Sequence, residues 1–356
     1  MAHINIHLSK IQYNALVLKK LLEDRKIKMI PVLKCAGGDV QITKLFKKIG
    51  FHLVAESRLN LIEANTTDLD YMMIKGSTPI EVPKLVQNTT LSIQTDLNVI
   101  RAINEEAKKR HKPHSILLMV DWKDGREGIL TYETIDYLNE IMKLDHIYLK
   151  GLAFNFMCYR PLPPTEEDIS YIEHFIHNIH KETGLSFPTI SGGNSSMLTL
   201  AMYYDLGCIN ELRIGEALFR GYETAQQQRL PFLYTDTIEI VGQIDEIKPR
   251  LNLSTHHAYM QALVDIGNLD TEISELTPRD EKLKIVGSTS DLLLLDLGDT
   301  YSYQLGDTVT FNMGYGAIAQ SMHSKQLNKI YYQDKGIELM AEHFNGTTEH
   351  KCLKQY

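Results

Sequence analysis

Short runs of apolar and β-branched residues recur along the first two thirds of the chain. They alternate with segments, such as 99–109 and 170–180, in which apolar residues lie three and four positions apart, as in amphipathic helices. The runs predict eight strands, at residues 28–34, 52–56, 71–74, 91–94, 116–121, 149–155, 187–191 and 212–215. Eight βα units in about 220 residues are typical of a (β/α)8 barrel, whereas an open doubly wound sheet seldom has eight parallel strands.

The alternation of strand-like runs and amphipathic helical segments ends after residue 223. Strand-like runs at 238–242, 283–287, 292–296 and 308–311 follow without helices between them. We therefore predict an α/β fold with a barrel over residues 1–225 and a smaller C-terminal β domain over residues 226–356. The first ten residues are candidates to pair with the β domain. The last twenty residues are polar and lack periodicity, so we expect them to fray.

Charge and composition narrow the classes of function. Lys and Arg number 37 and Asp and Glu number 45, so the net charge is 37 − 45 = −8, which disfavours nucleic acid as a partner. The longest apolar runs, such as 292–295, fall far short of the roughly 18 residues that a membrane span needs. The first residues do not resemble a signal peptide, so we expect a cytoplasmic protein.

Neither the cysteines nor the histidines have the spacing of a metal site. The four cysteines, at positions 35, 158, 208 and 352, show no CxxC pattern, which predicts reduced and mostly buried thiols without disulfides. The histidines at 174, 177 and 180 flank an apolar helical stripe and fit a solvated helix edge better than a metal site. We therefore expect no metal.

Lys34 is the first candidate for chemistry. It ends the first predicted strand, and in a barrel the reacting groups lie at the carboxyl ends of the strands. A lysine that is removed from water there can form a Schiff base or act as a general base. The alternative is a lysine whose stem lines the barrel mouth while its ammonium reaches water.

Two further loops are suited to an anion. The seventh strand leads into Ser-Gly-Gly-Asn-Ser-Ser at 191–196, which includes Asn194 and Ser195, and the eighth ends in Arg213-Ile-Gly-Glu, which includes Gly215 and Glu216. Loops after strands seven and eight recurrently bind phosphate in such barrels. A lysine opposite a phosphate site suggests pyridoxal 5′-phosphate. The lysine would hold its aldehyde carbon as an imine, and the loops would hold its phosphate.

Several longer segments resemble a known family. Val-Leu-Lys-Cys at 32–35 resembles the cofactor-lysine segment of the alanine racemase family of fold-type III pyridoxal phosphate enzymes. The segments at 119–129 (Met-Val-Asp-Trp-Lys-Asp-Gly-Arg-Glu-Gly-Ile), 190–196, 212–217 and 288–292 look like the ornithine racemase branch of that family. The similarity runs in order from about residue 3 to about residue 332.

The resemblance implies roles for individual residues. Lys34 would form the cofactor aldimine and then exchange a proton with the substrate Cα. Arg213 matches an arginine facing the pyridine nitrogen, and its guanidinium would leave that nitrogen unprotonated because it does not give up its proton. The remaining matches are phosphate contacts at Ser195, Gly215, the Glu216 backbone and Tyr315, Asn155 in place of a ring-stacking His, and Arg126 near the ring oxygen and the substrate carboxylate.

The chain departs from alanine racemases at the second face of the substrate. Asn268 stands where the resemblance would place a tyrosine base, and Gly38 replaces a second tyrosine. An amide cannot act as that base, so another group, or Lys34 reaching both faces, must exchange the second proton. Asp291 follows Ser290 at the place where related basic-amino-acid decarboxylases recognise a distal amine. Asp291 is thus either a catalytic-site residue that binds a diamino acid or a turn residue.

These observations predict a pyridoxal phosphate-dependent racemase, an isomerase, acting on ornithine, lysine or a similar amino acid. The alternatives are a basic-amino-acid decarboxylase of the same fold, which Arg213 disfavours, and a non-catalytic pyridoxal phosphate carrier, which the second domain disfavours. The resemblance also implies a head-to-tail homodimer with two shared sites, in which Asp291 and Tyr315 would serve Lys34 of the other subunit.

Overall fold

A computed structural model describes residues 1–251, 256–298 and 302–345. The chain begins with strand β1 (His3–His7) and helix α1 (Leu8–Glu23). Eight parallel strands then form a barrel, which confirms the predicted fold: β2 (Lys28–Pro31), β3 (Leu53–Glu56), β4 (Asp70–Met73), β5 (Leu91–Gln94), β6 (His114–Met119), β7 (Ile147–Ala153), β8 (Thr189–Ser191) and β9 (Glu211–Ile214).

The barrel is closed where its first and last strands meet. β2 pairs with β9, and a single bridge between Val32 and Ala55 joins β2 to β3. Alternate residues of the strands fill the inside with apolar side chains, as expected for a small parallel barrel. This inner core contains Ile30, Val32, Ala55, Met72, Leu91, Ile93, Leu117, Met119 and Ala153.

Helices surround the barrel because the segments between strands carry one apolar face. In α5 (Leu97–Lys109), for example, Val99, Ile100 and Ile103 are buried, and Asp96 caps the first turn through its carboxylate. The other helices are α2 (Val40–Lys48), α3 (Leu59–Ala64), α4 (Val82–Asn88), α6 (Thr134–Ile141), α7 (Glu166–Thr183), α8 (Leu198–Tyr203) and α9 (Glu216–Arg220). No helix in the described ranges is long and apolar enough to cross a membrane.

A second, mostly antiparallel sheet contains β1 and the strands that follow the barrel. These are β10 (Ile238–Leu251), β11 (Ala258–Val264), β12 (Leu276–Pro278), β13 (Lys284–Ser288), β14 (Leu293–Asp296), β15 (Thr308–Met313) and β16 (Asn328–Tyr332). β1 is antiparallel to β10 and parallel to β16. The division of the chain near residue 225 stays a prediction.

Two helices accompany the second sheet: α10 (Tyr315–His323) and α11 (Lys335–Asn345). The expected fraying of the last twenty residues is wrong for the part that α11 occupies. Ala341 is fully buried, and the Phe344 ring lies edge-on to Tyr13 of α1, with 5.7 Å between the ring centres. Residues 346–356, including Cys352, lie outside the described residues.

Candidate active site

A cavity of about 290 Å³ opens at the carboxyl ends of the barrel strands. In barrels of this kind the active site lies at this end and is built from the loops that follow the strands. Nine of the ten predicted site residues line it, and Asp291 does not. The nine are Lys34, Arg126, Asn155, Asn194, Ser195, Arg213, Gly215, Glu216 and Tyr315.

The predicted strand ended in Lys34, but β2 ends at Pro31, so Lys34 lies three residues beyond the strand. It begins a 3₁₀ turn, Lys34–Ala36, after Leu33 donates a backbone hydrogen bond to Ala55. Gly37 ends that turn with φ +62°, and a Cβ there would be 2.6 Å from the carbonyl oxygen of Met322 in α10. Only glycine lets the lysine turn and α10 approach this closely.

Tyr315 lies beside Lys34 of the same chain. The Lys34 Nζ is 5.6 Å from the centre of the Tyr315 ring. The expectation that Tyr315 serves another subunit's lysine is therefore wrong, because α10 packs on the lysine turn within one chain. Burial raises the pKa of the Tyr315 phenol far above its usual range, so the group stays neutral and can donate a hydrogen bond.

Glu275 holds Tyr315 in place, and the sequence analysis missed it. Its carboxylate accepts hydrogen bonds from the backbone N–H groups of Gly316 (2.6 Å) and Ala317 (3.1 Å), and its carbonyl accepts one from Gly314 (2.8 Å). A Cβ at Gly314 would be 2.3 Å from the Glu275 Oε2, so the carboxylate packs where a side chain would otherwise be. The Gly-Tyr-Gly sequence is the signal that could have suggested such an anchor.

Arg213 is a buried cation with a fixed orientation. Its Nη2 donates to the carbonyl of Phe154 at 2.6 Å, and its Nη1 donates to the Ser191 hydroxyl. Burial lowers the pKa of the Arg213 guanidinium from its usual value, with the nearby Glu211 opposing that shift. The two anchored nitrogens orient the planar guanidinium at the cavity wall.

The two glycine-containing loops meet at one end of the cavity. Ser195 is buried, and its hydroxyl accepts the backbone N–H of Ala217 at 3.2 Å, which joins the loop after β8 to the start of α9. Among the described residues, none accepts a hydrogen bond from the backbone N–H of Gly215 or Glu216. The Glu216 side chain forms an ion pair with Arg220, and burial raises the pKa of its carboxyl group. Backbone donors without acceptors beside a hydroxyl suit an anionic oxygen.

Asn155 and Asn194 belong to a buried polar network that includes Asp124, another residue the sequence analysis missed. Asn155 donates to Asp124 at 3.1 Å and accepts from Asn194 at 3.2 Å. Arg126 lies at the half-exposed rim, with its Nε 3.9 Å from Asp124 and its Nη2 paired to Glu127. In the sequence, Asp124 resembles an ordinary solvated loop residue. Its position two residues before Arg126 is the one feature that could have suggested a role in the site.

The cysteines depart in part from the expectation of buried thiols. Cys35 is buried, and burial raises its pKa to about 12. Cys158 is exposed, and its Sγ at the cavity accepts a hydrogen bond from Asn194 at 3.4 Å. Cys158 follows Met157, which has φ +60°, and begins the exposed part of the loop after β7.

Asp291 and Asn268 lie together on an exposed turn of the second sheet, away from the cavity lining of their own chain. Two loops are joined there, because Asn268 and Leu269 donate backbone hydrogen bonds to Thr289 and Ser290. A Cβ at Gly267 would be 2.0 Å from the Ser290 carbonyl oxygen, so that position requires glycine. The turn is thus a compact, exposed unit that carries the carboxylate.

Comparison with known proteins agrees with this geometry. Residues 6–223 match the family model "Alanine racemase, N-terminal domain". The chain is 32% identical to the ornithine racemase of Acetoanaerobium sticklandii, over 92% of this chain and 98% of that protein. It is 23% identical to the lysine racemase of Thermotoga maritima, over 92% and 97% of the two chains.

The fold also has solved relatives. The structure of Bartonella henselae alanine racemase with covalently bound pyridoxal phosphate matches with a TM-score of 0.71 at 15% identity, over 93% of this chain and 99% of that one. The family-model match and the 32% identity over nearly the whole length show that this chain belongs to the alanine racemase family, in its ornithine racemase branch.

Proposed function

We propose that this protein is a pyridoxal phosphate-dependent racemase of a diamino acid such as ornithine or lysine. One observation carries the proposal: a lysine, a buried arginine and an anion-binding loop line a single cavity. The family supports a racemase, and the named ornithine and lysine racemases among its relatives support a diamino acid.

The residues present fit pyridoxal phosphate. The Lys34 amine is the group that can bond to its aldehyde, and Arg213 would face its ring nitrogen. The backbone N–H groups of Gly215 and Glu216, which lack acceptors in the described parts of the chain, would hold the phosphate together with Ser195. When bound, the cofactor supplies an electron sink that makes the substrate Cα–H acidic.

Arg213 favours proton transfer over other reactions at the same carbon. Its guanidinium can donate a hydrogen bond but does not give up a proton near neutral pH. It would therefore oppose protonation of a ring nitrogen held beside it and would keep the electron sink weak. A weak sink suits removal and return of one proton, as racemisation requires, and disfavours decarboxylation and transamination.

Lys34 is the proton carrier on one face of the substrate. Its Nζ borders the cavity and lies 5.6 Å from the centre of the Tyr315 ring, whose phenol stays neutral, so the amine is the group placed to hold or release a proton there. The second face needs another carrier or the same lysine, because Asn268 cannot act as a base.

A second subunit would complete the substrate pocket. Lys34, Arg126 and Arg213 make the lining basic, while the lining carboxylate Glu216 is already paired with Arg220. Arg126 at the rim suits the α-carboxylate of the substrate, but a distal ammonium needs a carboxylate. Asp291, exposed on its turn, would supply it to the partner's cavity in a head-to-tail homodimer with shared sites.

The test begins with the cofactor. Borohydride reduction of protein loaded with pyridoxal phosphate should label Lys34, and Lys34→Ala should lose the label and all turnover. Incubation with L-ornithine or L-lysine in deuterium oxide should then exchange the Cα hydrogen and abolish optical rotation. Carbon dioxide release would indicate a decarboxylase, and cofactor binding without any exchange would indicate a carrier. Label on a different lysine would overturn the assignment of Lys34.

A further inference from the structure

A directional chain of hydrogen bonds crosses the mouth of the barrel. The backbone N–H of Ser196 donates to Asn194 Oδ1 at 2.8 Å, Asn194 Nδ2 donates to Asn155 Oδ1 at 3.2 Å, and Asn155 Nδ2 donates to Asp124 Oδ2 at 3.1 Å. The chain joins the loops that follow β6, β7 and β8. Because its first donor is a backbone N–H, the orientation of both amides is determined.

Asp124 is the end of this chain and also an anchor for the loop after β7. Its Oδ1 accepts the backbone N–H groups of Cys158 and Tyr159, each at 2.9 Å, just after the left-handed Met157. The side chain is buried, with 4% of its surface exposed. Both carboxylate oxygens therefore receive hydrogen bonds, and only a side chain with two acceptor oxygens satisfies every donor.

We infer that Asp124 is a positioning residue that fixes Asn155 and the Met157 turn at the wall of the cavity. The inference rests on the proposed function, because Asn155 would contact the bound cofactor. Neutral asparagine at position 124 would not substitute for the carboxylate. Its oxygen could face either the two backbone N–H groups or Asn155, and its NH2 group would then face a donor on the other side.

Rotating the Asn155 amide would not relieve this conflict. Rotation would only move the donor–donor contact to Asn194, whose orientation the Ser196 N–H determines. The double variant Asp124→Asn/Asn155→Asp removes the conflict, because the amide introduced at position 124 would donate to a carboxylate at position 155, which would also accept from Asn194. The chain thus predicts a rescue that a general loss of packing would not produce.

The experiment compares Asp124→Asn, the double variant and the matched control Asp121→Asn. Asp121 lies in the same loop and accepts one hydrogen bond, from the backbone N–H of Gly125. The side-chain oxygen of an asparagine can accept the same hydrogen bond. The measurements are the thermal midpoint of the cofactor-free protein, and the dissociation constant and absorption maximum of bound pyridoxal phosphate. We expect Asp124→Asn to lower the midpoint by about 3 °C, to weaken cofactor binding about tenfold and to shift the absorption band.

The double variant should recover at least half of the loss in thermal midpoint of the cofactor-free protein, and Asp121→Asn should change the cofactor affinity less than about threefold. If Asp124→Asn binds the cofactor like wild type, or if the double variant is no more stable than Asp124→Asn, the inference is overturned. If Asp124→Asn does not fold, a folded double variant supports it and an unfolded one overturns it. Failure of the wild-type protein to bind pyridoxal phosphate would refute the proposed function, while the thermal midpoints would still decide the role of Asp124.

Discussion

Lys34 and Tyr315 face the same cavity although one follows the first strand of the barrel and the other begins a helix of the second sheet. Their separation of 5.6 Å, from Nζ to ring centre, means that a single chain assembles both the amine and the half-buried phenol. In the proposed homodimer, the partner subunit would then be needed for the substrate's distal end and not for the cofactor.

Glu275 should control how well Tyr315 is placed. Glu275→Ala leaves the N–H groups of Gly316 and Ala317 without their acceptor, which is comparable to losing a helix cap and should cost about 1 kcal/mol of stability. Glu275→Gln keeps one acceptor oxygen and should retain most of that stability. Thermal unfolding and equilibrium binding of pyridoxal phosphate measure the two effects. Equal losses in both variants would show that the charge, and not the acceptor, matters.

Shared sites should be revealed by mixing an inactive variant with a strongly impaired one. Lys34→Ala and Asp291→Asn damage opposite halves of a shared site, so a hybrid dimer contains one intact site. Random reassociation at equal concentrations should restore about a quarter of the wild-type activity, because half the dimers are hybrids and each has one working site of two. Activity is measured after denaturation and joint refolding, with each variant refolded alone as the control. No gain on mixing, or a fully active monomer in sedimentation, would contradict the shared site.

Asp291 should determine the preference for a charged substrate. Removing one partner of a desolvated ion pair costs about 2–5 kcal/mol, so Asp291→Asn should reduce kcat/KM for ornithine or lysine about 30-fold or more. An uncharged amino acid of similar length, if turned over, should be affected much less. Asp245→Asn removes the same charge from an exposed position of β10 and is the matched control. Equal losses on charged and uncharged substrates would assign Asp291 to turn structure, and a wild-type preference for alanine would exclude a diamino-acid racemase.

His114 should make the barrel sensitive to acid. The ring is buried against the Ser92 hydroxyl (2.9 Å), and burial, with the nearby Lys112 charge, lowers its pKa to about 4. The unfolded chain binds that proton near pH 6.5, so acid favours the unfolded state. The contribution of neutral His114 to the free energy of unfolding is complete above pH 6.5. It declines by about 3 kcal/mol in total as the pH falls to 4.

His114→Gln, which does not titrate, is the comparison for this effect. Denaturant unfolding of the cofactor-free protein at pH 7 and at pH 4 should show wild type losing about 3 kcal/mol more than the variant. Parallel losses would mean that the histidine is protonated without cost in the folded protein.

Local periodicity predicted the barrel and the strand-end residues of the cavity, whereas Arg126, Asn155 and Tyr315 were predicted only from the resemblance to the family. Lys34 and Arg213 lie near the carboxyl ends of strands, and the barrel topology alone brings these ends together at one face. Glu275 and Asp124 could not be found in this way, since their roles consist of hydrogen bonds to distant or irregular backbone. The helix α11 was missed because its inward-facing residues, the buried Ala341 and its half-buried neighbours at 337 and 344, are few and lie among polar side chains.

The position of β1 has a consequence for the order of folding. Its partners are residues 238–241 and 328–332, which follow the whole barrel in the sequence. The barrel strands, between Lys28 and Ile214, pair with one another without β1. Ile4 and Ile6, which are fully buried in the folded protein, are therefore covered only after these distant segments have come together. Because contacts between residues so far apart in sequence form slowly, β1 should be among the last strands to be paired during refolding.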